Sequence, residues 1–238
     1  MHENGTILCA TVAQMRQSDR QTIERYVPSL TLMYRAAMGV YRAWDWSGET
    51  VIAAGGGNNG GDGFALACIL RENGRRCRVV TLSDKLSPDS AHFAARARAL
   101  GVPVSAYAPG AFAGCDTVVD CLLGTGFRGG VREPTAAAIR EINAAAARVV
   151  SVDINSGMDG DTGAAPCAVR SDLTVTIGMV KRGQLSDGAG RYIARLVCAD
   201  IGIVPTGEEE RLDASACPPY VAAEPIDVRD VTYREERT

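Results

Sequence analysis

Apolar and polar positions along the chain follow two periods. In TVAQMRQSDRQTIERYV the residues Val12, Met15, Ile23 and Val27 share one helical stripe, and Thr11 precedes Gln14 by the three residues of a capping box, so a helix is predicted near residues 12–26. Pro28 opens a second helical run, SLTLMYRAAMGVYRAW, apolar enough to be largely buried or to sit at a subunit contact. Both helices are expected to precede the first strand. Short β-branched runs then alternate with alanine-rich helical stretches: strand TVIAA, helix 61–73, strand CRVVTL, helix 88–100, strand DTVVD, helix 134–146, strand RVVSVD, then DLTVTI and YIARLV. This alternation implies an α/β fold with a largely parallel central sheet and helices on both faces. From Thr206 the pattern lapses into GEEERLDASACPP and the charged RDVTYREERT, which divides the chain into a domain of residues 1–205 and a surface strap, loosely ordered tail or linker stub of residues 206–238.

Composition narrows the function classes. The 238 residues carry a formal net charge of -3, which gives no electrostatic reason to expect nucleic acid or an anionic membrane as partner. No run approaches the ~18 uninterrupted apolar residues of a membrane span, and MHENGTILCATVAQ lacks the regions of a signal peptide, so a cytoplasmic protein is expected. The eight cysteines are scattered without a C-x-x-C pair, and Cys121, near a candidate loop, reads as a packing residue because no histidine stands in a partner motif.

Ligands on parallel sheets bind beyond the carboxyl ends of the strands, and three polar loops follow strands here. The first, GGGNNGGDG at 55–63, satisfies G-x-G-x-x-G, but that spacing alone is weak. Its interior residues Asn58, Asn59 and Asp62 add amide and carboxylate groups that simple phosphate binding does not need. An anionic Asp62 beside a phosphate is unfavourable unless paired, so hydroxyls, backbone amides or a cation suit it better. The plain alternative puts the asparagines in left-handed turn positions and makes Asp62 a helix cap. The second loop, VVDCLLGTGFRGGVREP, has Asp120 at a strand end, then the flexible, basic segment Gly124 to Gly130, ahead of a helix from Pro134. The third, VVSVDINSGMDGDTG, has Asp153 at the end of an apolar strand, a candidate acid or base, followed by Ser156. Asp159 and Asp161 read as turn residues, because Arg170 stands where a calcium loop needs glutamate. Lys181, just after another strand, reads either as a phosphate partner on the same face or as a solvated lysine. His92 lies within a helix away from every strand end, which argues against a histidine-centred hydrolase or metal site.

Together GNNGGDG (57–63), VDCLLGTGFRGG (119–130), VDINSGMDGDTG (152–163) and DLTVTIGMVKRG resemble, in order and over most of the chain from about Thr11 to Val204, the NAD(P)H-hydrate epimerases of the YjeF N-terminal domain family. The resemblance implies a Rossmann-like three-layer α/β/α fold and an isomerase of nicotinamide nucleotide repair, interconverting the R and S epimers of hydrated NADH or NADPH at C6 of the nicotinamide ring. By motif, Asn58, Asn59, Gly60, Gly61 and Asp62, with Gly124, Thr125, Gly126, Phe127, Arg128, Gly129 and Gly130, would contact the substrate. Asp153 would face the reacting ring as catalytic proton shuttle, and Lys181 would assist electrostatically. Asn59, Asp120 and Ser156 match the family's potassium positions, one K+ per subunit. The functional partner implied is an ATP- or ADP-dependent NAD(P)H-hydrate dehydratase, standalone or fused beyond YREERT, and the assembly expected is a homodimer.

Two departures stand out: Asn155 replaces the family's usual proline, and LMYRAAMG, with Tyr34 and Ala37, replaces L-M-E-x-A-G. A non-catalytic dimerisation or ligand-binding scaffold on the same fold is the first alternative, disfavoured by the presence of Asn59, Asp120, Asp153 and Ser156. A nicotinamide-dependent oxidoreductase is the second, and it lacks a substrate domain.

Overall fold

The capping box forms as the spacing predicts. Gln14 N donates to Thr11 Oγ1 (3.2 Å) and Thr11 N donates back to Gln14 Oε1 (2.8 Å), fixing the start of α1 (Val12–Arg25). In the computed structural model, which describes residues 6–234, a strand β1 (Thr6–Ala10) precedes this helix, correcting the expectation that both first helices come before any strand. TILCA is a short apolar run without alternation, and it pairs outside the main sheet. The buried face of α1 is Val12, Met15, Ser18 and Thr22, whereas Ile23 is exposed. The stripe is rotated from the apolar reading because Ser18 and Thr22 meet residues 204–209: Ser18 Oγ donates to Glu209 (2.6 Å), and Thr22 Oγ1 accepts from Val204 N (2.9 Å).

The main alternation follows as α2 (Ser29–Ala43), β2 (Glu49–Ala54), α3 (Asn58–Glu72), β3 (Arg76–Thr81), α4 (Pro88–Ala99), β4 (Val104–Ala106), β5 (Thr117–Cys121), α5 (Thr135–Ala144), β6 (Arg148–Val152) and β7 (Leu173–Ile177). Then come β8 (Val180–Lys181), β9 (Leu196–Asp200), β10 (Glu210–Asp213) and β11 (Ile226–Asp227). YIARLV marks β9 about four residues early, because Ala189–Arg191 forms a 3-10 turn capped by Tyr192.

Eight strands make one parallel sheet in the order β11-β9-β7-β6-β5-β2-β3-β4. Alternate residues of β2 point to opposite faces. Ile52 and Ala54 join the cluster under α2, α3 and α4, while Val51 and Ala53 join the one under Ile139 and Ile142 of α5, which gives the three-layer α/β/α arrangement. The chain runs outward from β2 to β3 and β4, then returns to β2's other side as β5. A topological switch point therefore lies between β2 and β5, where the loops after both strands part.

Residues 206–234 are woven into both sheets. β10 pairs antiparallel with β1, β11 pairs parallel with β9, Val228 is fully buried, and the Tyr233 ring packs on Phe93 (5.0 Å between centroids) and Tyr34 (5.3 Å). Tyr34, one of the two departures on α2, thus anchors the strap, while Ala37 is buried in the core. His92 serves the same packing, with Nε2 2.8 Å from Tyr233 Oη.

Candidate active site at the sheet's switch point

Glycine governs the loop after β2. A Cβ on Gly60 would lie 1.9 Å from the Gly55 carbonyl oxygen, and one on Gly55 would lie 2.0 Å from the Leu122 oxygen. Their absence lets α3 start hard against the ends of β2 and β5. Consequently α3 begins at Asn58, three residues earlier than its sequence pattern indicates. Asn58 and Asn59 are helical rather than in left-handed turns, and Asp62 sits inside the helix, where its carboxyl caps nothing and has no hydrogen-bond partner among the described residues. Asn58 Oδ1 accepts from Ser87 Oγ (2.7 Å).

Asp153 follows β6 and has φ of 67°, the only positive value at a non-glycine position among the described residues. Ile154 N donates to the Val152 oxygen across it (2.8 Å), closing a γ-turn whose positive φ is sparsely populated and costs on the order of 1–3 kcal/mol. Neighbouring groups hold this turn. Asp153 N donates to Val175 O (2.8 Å), and Gln184 Nε2 donates to Asp153 O (2.9 Å). Lys181 Nζ donates to Asp153 Oδ1, to Thr176 Oγ1 (3.0 Å) and to Ile177 O (2.8 Å). The ammonium is buried, and Asp153 carries the exposed end of the pair.

Beneath this lies Asp120, fully buried at the end of β5. It accepts from Ser156 Oγ, Ser156 N (2.9 Å), Ser151 Oγ (2.9 Å) and Leu122 N (3.3 Å). Burial pushes its carboxyl above the ordinary range, and these hydrogen bonds oppose that rise. Ser156 Oγ also accepts from Leu123 N (2.8 Å), one residue before Gly124. On Gly124's other side, a Cβ would lie 3.0 Å from Asn59 Cβ and 3.6 Å from Asp153 Oδ2. Asn59 is 8% exposed, and neither Oδ1 nor Nδ2 has a partner. Asn155, the other departure, is fully buried and fully bonded: Nδ2 donates to Val169 O, Ser171 Oγ and Tyr192 O (3.0–3.1 Å), and Oδ1 accepts from Thr174 Oγ1 (2.7 Å). It ties the third loop to the segment before β7 without disturbing Asp153 or Ser156.

These loops bound a cavity of about 540 Å³, a size that suits a small-molecule ligand. Of the residues singled out by sequence, Asn58, Asn59, Asp62, Gly124, Thr125, Gly126, Phe127 and Asp153 line it. Gly60 and Gly61 are buried behind its wall, Asp120 and Ser156 lie beneath it, and Lys181 reaches it through Asp153 rather than as a free cation. Arg128, Gly129 and Gly130 are exposed and not part of the lining; Arg128 turns back onto the Thr125 and Phe127 oxygens (3.2 and 2.8 Å). Sequence reasoning missed Met15, Arg16, Asp19 and Ile23 of α1, Asp89 of α4, and an apolar side formed by Leu32, Met33 and Ala36 of α2. The only available signal was that Arg16 and Asp19 flank the apolar stripe of α1. Arg16 Nη2 donates to Thr125 O (3.0 Å). Burial first, then the charges of Asp153 and Asp19, push Asp62 well above the ordinary carboxylate range, and Asp19 is raised for similar reasons. Asp159 and Asp161 are turn residues: Asp159 Oδ1 accepts from Asp161 N and Thr162 N, and Asp161 Oδ1 from Val12 N (2.7 Å). The Cys121 thiol is fully buried and pushed well up by that burial, as a packing residue should be.

The model of the YjeF-related protein N-terminus family matches residues 29–183, more than half of the chain. The chain belongs to this family. Among YjeF-related relatives, an NAD(P)H-hydrate epimerase of Limosilactobacillus fermentum is 37% identical over 198 residues, covering 80% of this chain and 95% of that protein. A bifunctional NAD(P)H-hydrate repair enzyme of Pyrobaculum aerophilum is 38% identical over 212 residues, covering 83% of this chain but 42% of that protein. The crystal structure of yeast ynu0 superposes with a TM-score of 0.65 at 17% identity, covering 87% of this chain and 99% of that one, and so supports the YjeF-type fold alone. Helix α1, which supplies Arg16 and Asp19 to the cavity, lies outside the segment that the family model matches.

Proposed function

We propose that this protein is an NAD(P)H-hydrate epimerase, with hydrated NADH or NADPH as substrate. The observation that carries the reading is Asp153: a carboxylate on a γ-turn, ion-paired to a buried lysine and facing a cavity at the switch point, in a chain 37% identical to an epimerase along nearly that protein's whole length.

The cavity's charge supports an orientation. Arg16 is its lining cation and bonds the Gly124–Phe127 loop, so the diphosphate of a dinucleotide takes Arg16 and that loop, with the nicotinamide toward Asp153. At C6 the hydrated ring bears both its nitrogen and a hydroxyl. Protonation of the hydroxyl, with the nitrogen lone pair pushing, releases water and leaves a planar iminium cation that water recaptures on either face. The Asp153 carboxylate favours this cation electrostatically over neutral ring opening, and Asp153 is suited to take part in the proton transfers.

A potassium ion fits the residues beneath the cavity. Asn59 offers an unpartnered buried carbonyl, Asp120 a buried carboxylate and Ser156 a hydroxyl, an all-oxygen set suited to a hard cation. When bound, the ion would supply positive charge that offsets Asp120 and orders the loops. The bifunctional relatives support a second repair activity working with this one, for which we propose a dehydratase selective for one epimer. The expected homodimer is checked by sedimentation. The reading itself is tested by incubating a purified epimer with the enzyme and following appearance of the other by chromatography, with equilibration far above the spontaneous rate expected. No acceleration, with potassium present, would point to a binding scaffold.

A further inference from the structure

Four carboxylates line the cavity, and they are not equivalent. Asp153 has a dedicated counter-ion in Lys181, which is buried and spends its other donors on Thr176 Oγ1 and Ile177 O. Asp62, the fifth residue of α3, lines the same cavity, and its carboxyl has no hydrogen bond or ion pair among the described residues. The charges facing it come from three other elements: Asp19 of α1, Asp89 of α4, and Asp153 with Lys181 behind it. The cavity's own lining cation, Arg16, is engaged at Thr125 O, on the glycine loop. One helical turn before Asp62, Asn59 presents an amide more than nine-tenths buried with both polar atoms unpartnered. The wall that carries Asp62 is therefore shaped to meet a ligand.

We propose that Asp62 is a second catalytic residue, the general acid that delivers a proton to the departing C6 hydroxyl, while the ion-paired Asp153 accepts a proton from the incoming water. This deepens the epimerase reading and rests on it. The proton balance closes. The O–H bond of the Asp62 carboxylic acid breaks, its proton joins the C6 hydroxyl, and the C6–O bond breaks with both electrons leaving on water. The ring nitrogen's lone pair forms the C=N bond of the iminium. Water then attacks C6 from the other face, returning the π pair to nitrogen, and gives its proton to Asp153. One proton has moved from Asp62 to Asp153, and exchange with solvent resets both. The reverse epimerisation uses the same two groups in exchanged roles. An acid–base pair requires two carboxyls in different environments, and here Asp153 has a buried counter-ion in Lys181 whereas Asp62 has none among the described residues. Burial and three neighbouring carboxylates outweigh the charge of Lys181 and favour the neutral form of Asp62, whose carboxyl has no hydrogen-bond partner among the described residues.

The test compares wild type, Asp62→Asn and Asp62→Ala by R/S interconversion of NADPH hydrate, with hydrate affinity from calorimetry and folding from thermal melts. The expected result is a loss of at least about 100-fold in turnover for Asp62→Asn, hydrate Kd within about threefold, and a melting temperature no lower than wild type. Asp62→Ala is expected to recover turnover with added formate, a response that a purely structural role does not give. Turnover of Asp62→Asn within about tenfold of wild type, or an Asp62→Ala variant that formate does not rescue, overturns the proposal. A wild-type enzyme without turnover overturns the epimerase reading and this proposal together, so the two failures are distinguishable.

Discussion

Lys181 Nζ sits beneath Asp153 and donates to its Oδ1, while Thr176 Oγ1 and the Ile177 carbonyl take the other two ammonium protons. With three donors and three acceptors the group is saturated, and the backbone N–H of the same lysine bonds Gln184 Oε1 (2.9 Å), whose Nε2 holds the Asp153 carbonyl. The positive-φ turn at Asp153 and the buried cation behind it are thus one unit.

Lys181→Met removes one partner of this pair and leaves a largely buried carboxylate unpaired. A loss of about 2–4 kcal/mol in urea unfolding is expected, with turnover falling as Asp153 loses its fixed position. Lys181→Arg should not restore either quantity, because a planar guanidinium cannot reproduce three converging ammonium bonds. A Lys181→Met enzyme with wild-type stability and turnover contradicts the unit.

Arg16 makes one bond to the glycine loop, at Thr125 O, and is otherwise exposed at the cavity mouth. Arg16→Ala is expected to raise KM about tenfold with kcat nearly unchanged, the mark of a group that binds substrate and transition state alike. Steady-state kinetics check this, and a selective fall in kcat argues against a diphosphate contact.

Potassium at Asn59, Asp120 and Ser156 should stabilise the folded protein by linkage, about 2.7 kcal/mol at 100 times its Kd. Melts in potassium chloride and choline chloride at equal ionic strength measure it. Asn59→Ala should abolish the difference; a variant that still responds to potassium places the ion elsewhere.

The strap also leaves a pH signature. Burial raises the Glu209 carboxyl, but hydrogen bonds from Ser18 Oγ, Thr206 N and Gly207 N outweigh it and hold the group at about 2, below its ordinary 4.5. A depressed folded value contributes stability above pH ~4.5 that is lost as pH falls toward 2, on the order of 1 kcal/mol after solvent screening. Unfolding from pH 6 to 2.5 should show a shallower acid decline in Glu209→Gln than in wild type.

What the sequence made legible was local. The α/β alternation, the capping box at Thr11 and the strand-end position of Asp153 follow from periods and turn chemistry that neighbouring residues report. What it hid came from contacts between distant segments. Ile23 reads as core, yet Ser18 and Thr22 face inward because residues 204–209 arrive to bond them. Arg16 and Asp19 carry no sequence signal beyond flanking the apolar stripe of α1, and only the placement of α1 over the switch point turns them toward the cavity. Lys181 stands near a strand end in both views, but its burial behind Asp153 depends on a pairing 28 residues long that no local pattern announces. Asn155 departs from the family's proline and becomes intelligible only once Val169, Ser171, Thr174 and Tyr192 converge on it.

The most direct measurement follows the interconversion of separated R and S NADPH hydrate by proton NMR in potassium buffer, for wild type beside Asp153→Asn. The account predicts rapid equilibration of either epimer by wild type, and a loss of about 100-fold or more in the variant while it still binds the hydrate. Wild-type equilibration no faster than buffer, or an Asp153→Asn enzyme as fast as wild type, contradicts it.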